Sequence, residues 1–215
     1  MKTSLLLLLV LLFLCACNGR KPVVSHFRTK SFVLVDTNYV PGDYLPGPKD
    51  IEFPIYYIGA VKDTICIGRQ YWRGRTPVSR WPRRFACSRI YTNENLKIEV
   101  DSARDFRSYV LTIRNISDSI IFMGRTFSVY FLHRQFRDRE GHWVDIGRSL
   151  SEMGICGTFQ PTIYLRPGEI ILSKLAVGKG SRANDCRLVF GYGNNCVYSS
   201  VFKMYVDDQL AYFLR

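Results

Sequence analysis

The sequence predicts an antiparallel all-β sandwich or barrel, and three observations lead there. Short runs of β-branched and aromatic residues alternate with polar neighbours at period two. Clusters of Gly, Pro, Asn, Asp and Ser separate these runs at roughly 8–12-residue spacing, the rhythm of sandwiches and barrels. Sustained helical stripes are missing, and only Arg148 to Met153 reads as a helical turn.

Taken in order, the chain opens with Lys2 and an unbroken apolar run from Leu5 to Leu14, the length of a secretory leader and too short for a mature membrane span. Pro22, Pro41, Gly42, Pro46, Gly47 and Pro48 then mark residues 17–50 as a tether with an irregular lead-in. Strands are expected at 51–59 (IEFPIYYIG) and 64–68 (TICIG), each closed by glycine. Leu96, Ile98 and Val100 alternate with polar residues in 95–100, and YVLTI follows at 109–113 before the turn residues NISDS (115–119). The next strand is expected over 120–123 and 127–132, split at Gly124. The turn RDREG (137–141) leads into HWVDI (142–146). EIILSKLAV (169–177), CRLVFGY (186–192) and CVYSSVFKMYV (196–206) complete the set, the last two joined through Gly193-Asn194-Asn195.

The leader ends in Leu14-Cys15-Ala16-Cys17. This resembles the bacterial lipobox, in which Leu14 and Ala16 occupy the −3 and −1 positions and Cys17 is acylated after cleavage. The resemblance implies removal of 1–16 and anchorage of the remainder to a membrane by a multiply acylated N-terminus, which holds a soluble domain stably. The residues after Cys17 are polar and basic (Asn18, Gly19, Arg20, Lys21) rather than acidic, which favours a periplasm-facing anchor on the inner or outer membrane over surface display.

About two hundred residues then remain, enough for one sizeable core or two small ones. The chain carries a net charge of +12, to which the leader contributes only Lys2, so the basic balance belongs to the domain. Such a charge points to an acidic envelope component or an acidic protein partner, and export argues against nucleic acid. Without Cys15 and Cys17, the cysteines are Cys66, Cys87, Cys156, Cys186 and Cys196, in a compartment that permits disulfides. Their odd number leaves at least one free or paired between chains. A Cys66–Cys87 bridge would close a loop of about twenty residues, worth roughly 3 kcal/mol in the chain-entropy picture.

From about residue 95 a further pattern emerges: Asn-Ile-Ser-Asp at a strand end, a hydrophobic return strand, Asp-Arg-Glu-Gly before Trp143, then Leu165-Arg-Pro-Gly-Glu169 opening a strand. This resembles the immunoglobulin-like sandwiches of exported bacterial lipoproteins of the Bacteroides type. It covers about half the chain and implies an architecture, since its motifs are turn chemistry rather than a site. Asp63-Thr64-Ile65, Asp101-Ser102-Ala103 and Asp118-Ser119-Ile120 also resemble the O-glycosylation acceptor pattern of such bacteria, implying Thr64, Ser102 and Ser119 as acceptors; Asp-Ser and Asp-Thr are equally ordinary turn pairs.

Catalytic signatures are absent from the sequence. It has three histidines and no His-x-x-x-His pair, nucleophile elbow, phosphate loop or Cys-x-x-Cys pair. No catalytic residue, metal ligand or cofactor is therefore assigned. His133 and His142 could approach across the 137–141 turn with a nearby Cys or Asp, but strand-end histidines are usually solvated. The segment within 69–89 is the prominent one: Arg69, Arg73, Arg75, Arg80, Arg83 and Arg84 surround Trp72 and Trp81 with no acid before Phe85. Pro77 and Pro82 break any amphipathic helix there. The segment reads as a loop on the 51–215 domain that is either solvated or a recognition loop for an anionic or protein partner. The expected role is a non-catalytic binding or structural one in the envelope. The alternatives are an inhibitor or immunity-type lipoprotein facing a secreted toxin or protease, and a small glycan-acting hydrolase.

Overall fold

The computed structural model describes residues 23–29, 31–39, 53–67, 73–74, 88–103, 108–125, 129, 131–146, 162–176 and 182–206. Among them the fold is all-β, with no helix. The strands are β1 (Val23–Arg28), β2 (Val33–Tyr39), β3 (Ile55–Ala60), β4 (Thr64–Ile67), β5 (Arg73–Gly74), β6 (Leu96–Ala103), β7 (Ser108–Asn115) and β8 (Ile121–Arg125). They continue with β9 (Leu132–Arg137), β10 (Trp143–Ile146), β11 (Thr162–Leu165), β12 (Glu169–Ala176), β13 (Arg182–Tyr192), β14 (Asn195–Tyr198) and β15 (Phe202–Val206).

Two larger sheets face one another. One has the order β5-β3-β12-β7-β6; the other runs β10-β9-β13-β14, with β15 also on β13. The inner residues of both, among them Ile55, Ile98, Leu111, Ile113 and Ile171 from the first and Phe136, Leu188, Phe190 and Met204 from the second, form the main core. Ile121 and Met123 of β8 and Ile163 and Leu165 of β11 add a two-stranded sheet to it. Packing between apolar faces of paired sheets is what the period-two pattern demands.

A third layer covers the other side of the first sheet. Strands β1, β2 and β4 form a sheet of their own, and Phe32, Leu34, Ile65 and Ile67 pack against Tyr57, Val110, Ile170 and Leu172. Strand β12 is therefore buried on both faces, Ile171 and Leu175 toward one core and Ile170 and Leu172 toward the other. This explains why EIILSKLAV reads as a near-continuous apolar run rather than a clean alternation.

The layer corrects the expected irregular lead-in. Prolines and glycines crowd 41–48, but 23–28 and 33–39 are rich in Val, Phe and Leu, and they pair antiparallel from Arg28↔Val33 outward. Thr29 makes the connection: its hydroxyl donates to the Phe32 carbonyl at 2.9 Å and accepts from the Phe32 amide. The pairing is antiparallel throughout except β2 with β4, β3 with β5, and a parallel bridge of Ser88 to Ile121. Of the stretch 127–132 expected as a strand, the described residues place only Leu132 in one, at the start of β9, where Leu132 and Phe136 face the core while polar residues between them mask the alternation. The single strand expected over 196–206 is two: β14 and β15 both pair with β13, and Ser199 bridges the break. Its amide donates to the Leu188 carbonyl and its hydroxyl accepts from the Leu188 amide, each at 2.9 Å. The helical turn at 148–153 lies outside the described residues.

Two turns that looked separate in sequence interlock. Asn115, fully buried, donates its side-chain amide to the carbonyls of Ser119 (2.7 Å) and Leu165 (2.9 Å) and accepts from the Ser117 amide and hydroxyl. The Gly168 amide of the Leu-Arg-Pro-Gly-Glu turn donates back to the Asn115 carbonyl at 3.0 Å.

Candidate binding face

The outer face of the β10-β9-β13-β14 sheet gathers the described side chains of most chemical interest. Register places Gln135 opposite both Arg187 and Asp145, and His133 and Tyr198 both opposite Val189. Paired residues share a face, so these side chains project away from the core.

Arg187 is central. Its guanidinium lies 4.3 Å from the ring centroid of Trp143 on β10 and 4.3 Å from that of Tyr198 on β14. Its Nε donates to Gln135 Oε1 at 2.7 Å. Each cation–π contact contributes about 0.5–2 kcal/mol, more as water is excluded. Burial pulls the guanidinium's pKa below its ordinary value, opposed by the neighbouring Tyr198 phenol and Asp145 carboxylate. Asp145 itself is engaged by His133, whose Nε2 lies 3.2 Å from Oδ1. Cys196 stands at the rim, its thiol 3.2 Å from the Gly193 carbonyl; burial pushes its pKa up, as does Asp145, while a hydrogen bond with Tyr198 works the other way.

At the tip of the β9–β10 hairpin, His142 Nδ1 lies 3.6 Å from Asp138 and 3.5 Å from Glu140. Asp138 Oδ1 accepts from the His142 amide at 2.8 Å, and Arg137 Nε donates to the Gly141 carbonyl at 3.1 Å, so this cluster also serves to close its own turn. His133 and His142 do not come together: one pairs with Asp145 on the sheet, the other with the turn acids.

Of the residues singled out from sequence, Cys17, Arg69, Trp72, Arg75, Arg80, Trp81, Arg83, Arg84 and Cys87 lie outside the described residues. Arg73 is placed by its backbone, in the short β5 that runs parallel to β3 opposite Tyr57, so Arg73 and Gly74 form the edge of the first sheet. Cys66 is an exposed free thiol: the β4 alternation buries Ile65 and Ile67 and turns Cys66 outward. Thr64 is exposed on β4, Ser119 is exposed in the β7–β8 turn, and Ser102 sits on β6 opposite Tyr109. The Arg187 cluster was not legible in the sequence. Trp143 and Tyr198 lie on strands two and one removed from β13, and no spacing along the chain reports that adjacency. Comparison with protein-family models, curated proteins and solved structures finds no match to this chain.

Proposed function

We propose that the chain is a lipid-anchored, non-catalytic binding or structural module of a bacterial cell envelope. Its domain is an immunoglobulin-like sandwich, and it offers arginine and aromatic groups to an acidic partner. The observation that carries this reading is the guanidinium of Arg187 held between two aromatic rings on an outward sheet face, in a chain of net charge +12. A rigid arginine flanked by aromatics is the composition favoured at recognition hot spots. The apolar run before Leu14-Cys15-Ala16-Cys17 supports the anchor.

Three measurements test the proposal. Detergent phase partitioning of the expressed chain should place it with the membrane lipids, and Cys17→Ser should release it to the aqueous phase. An unchanged partition for Cys17→Ser removes the anchor. Binding to phosphatidylglycerol vesicles should fall steeply with salt and be lost when Arg80, Arg83 and Arg84 become alanine. Binding indifferent to salt but lost in Trp72→Ala or Trp81→Ala would replace an acidic surface by a protein pocket. Turnover of an envelope glycan by the purified chain, abolished by changing one carboxylate, would overturn the non-catalytic reading.

A further inference from the structure

We propose that Arg187 is the anchor of a second binding site, distinct from the basic segment, that takes the carboxylate of an acidic sugar. This rests on reading the chain as a binding module and assigns a ligand class to the described face.

Four features of the face carry the inference. First, the arginine is pre-organised. It stands on β13, which is paired on one side with β9 and on the other with β14 and β15, and Trp143, Tyr198 and Gln135 fix its head. The ordering cost that a mobile arginine would meet on binding is already met in the fold. Second, only Nε has a partner. Among the described residues no hydrogen bond or ion pair reaches the two terminal amines, and the side chain is only partly buried. A partly desolvated cation with two free parallel donors is a receptor for a planar oxyanion. Third, the internal carboxylate that could have filled this role is diverted: Asp145 bonds His133 and forms no ion pair with Arg187, although its charge is felt there. Gln135 is in a similar position, since it spends its oxygen on Arg187 and its amide nitrogen donates to no described residue.

The fourth feature is the surrounding chemistry, which selects the ligand. The Asp145 charge on this face makes a multiply charged phosphate a poorer guest than a singly charged carboxylate. A peptide gains most of its affinity by extending a free sheet edge or filling a groove, whereas β13 is an interior strand whose backbone groups face other strands. A sugar acid needs neither. It needs a charge clamp, side-chain donors and acceptors for its hydroxyls, and an aromatic surface, here Arg187, Gln135, His133 and the exposed Tyr198.

The test titrates the full chain, in detergent, with trigalacturonate, with neutral galactotriose, with glucose 6-phosphate and with a triglutamate peptide, by calorimetry and by the arginine side-chain nitrogen resonances. Trigalacturonate should bind and shift the Arg187 resonances, with the other three weaker by about tenfold or more. Arg187→Lys, which keeps the charge but loses the planar fork, should weaken binding about tenfold, and Arg187→Ala should abolish it. Gln135→Ala should weaken it several-fold, and this substitution on the outer face keeps the test decisive if an Arg187 variant fails to fold. Replacing Arg80, Arg83 and Arg84 by alanine should leave trigalacturonate binding intact. Equal binding of galactotriose, a preference for the phosphate or the peptide, or unaltered affinity in Arg187→Lys or Gln135→Ala would overturn the proposal. If trigalacturonate fails while vesicle binding through the basic segment persists, this site falls and the envelope-binding reading rests on the basic segment and the net charge alone; if both fail, both fall.

Discussion

At the residue scale, single polar groups decide whether the turns hold. Asn115 satisfies four groups from two turns while fully buried, so no other side chain of its size substitutes for it. Asn115→Ala should cost about 2–3 kcal/mol in urea unfolding, because it leaves the Leu165 carbonyl buried without its donor. Tyr109 is the corresponding point for pH. Its hydroxyl donates to the Lys203 carbonyl at 2.6 Å, and burial, helped by Cys186 and Tyr205, raises its pKa above the usual 10.0. Tyr57 is raised as well, by burial and then by Glu169. A folded-state pKa raised above the unfolded one means that the folded chain holds the proton more tightly. The associated stability is therefore intact below about pH 10 and lost as pH climbs through the folded value. The urea midpoint should decline above that point, and Tyr109→Phe should flatten the decline while lowering stability near neutrality by about 1 kcal/mol.

At the scale of elements, the β13–β14 hairpin is the most exacting. Gly191 adopts φ of 120°, and a Cβ there would come within 2.0 Å of the Asn195 carbonyl oxygen. Gly191→Ala should lower stability by about 3 kcal/mol, read as a fall in Tm, since it combines backbone strain with a clash that only hairpin opening relieves. Much at this scale was legible in the sequence. Gly193-Asn194 marked the hairpin, Asp138 to Gly141 the β9–β10 turn, and Pro167-Gly168 the entry to β12, because turn chemistry is local. The strand over 132–137 was not, because His133, Arg134, Gln135 and Arg137 place polar heads on an otherwise apolar rhythm. Nor were β1 and β2, whose neighbours in sequence are prolines and glycines while their neighbours in space are β4 and the first sheet. The candidate site fared worse for the same reason: Trp143, Gln135, Arg187 and Tyr198 meet through strand order and register, which one-dimensional spacing does not encode.

At the scale of the whole molecule, the described residues form two cores sharing one sheet. The larger core lies between the two main sheets, and the smaller one exists only because β1, β2 and β4 cover the far side of β3, β12 and β7. Leu34, in that cover, is 1% exposed, so Leu34→Ala should cost about 2–4 kcal/mol by chemical denaturation. The larger cluster makes no direct use of it and should retain its slowest-exchanging amides. The layering also sets how the protein bears load. A chain held at its N-terminal end and pulled from its C-terminal end loads β1 and β15, the first and last described strands, and the antiparallel bonds of β1 to β2 can open one pair at a time like a zip. Strands β1 and β2 would then act as a mechanical fuse, giving way in an early event that releases 23–39, roughly 60 Å of chain, while β3 stays paired in the main sandwich.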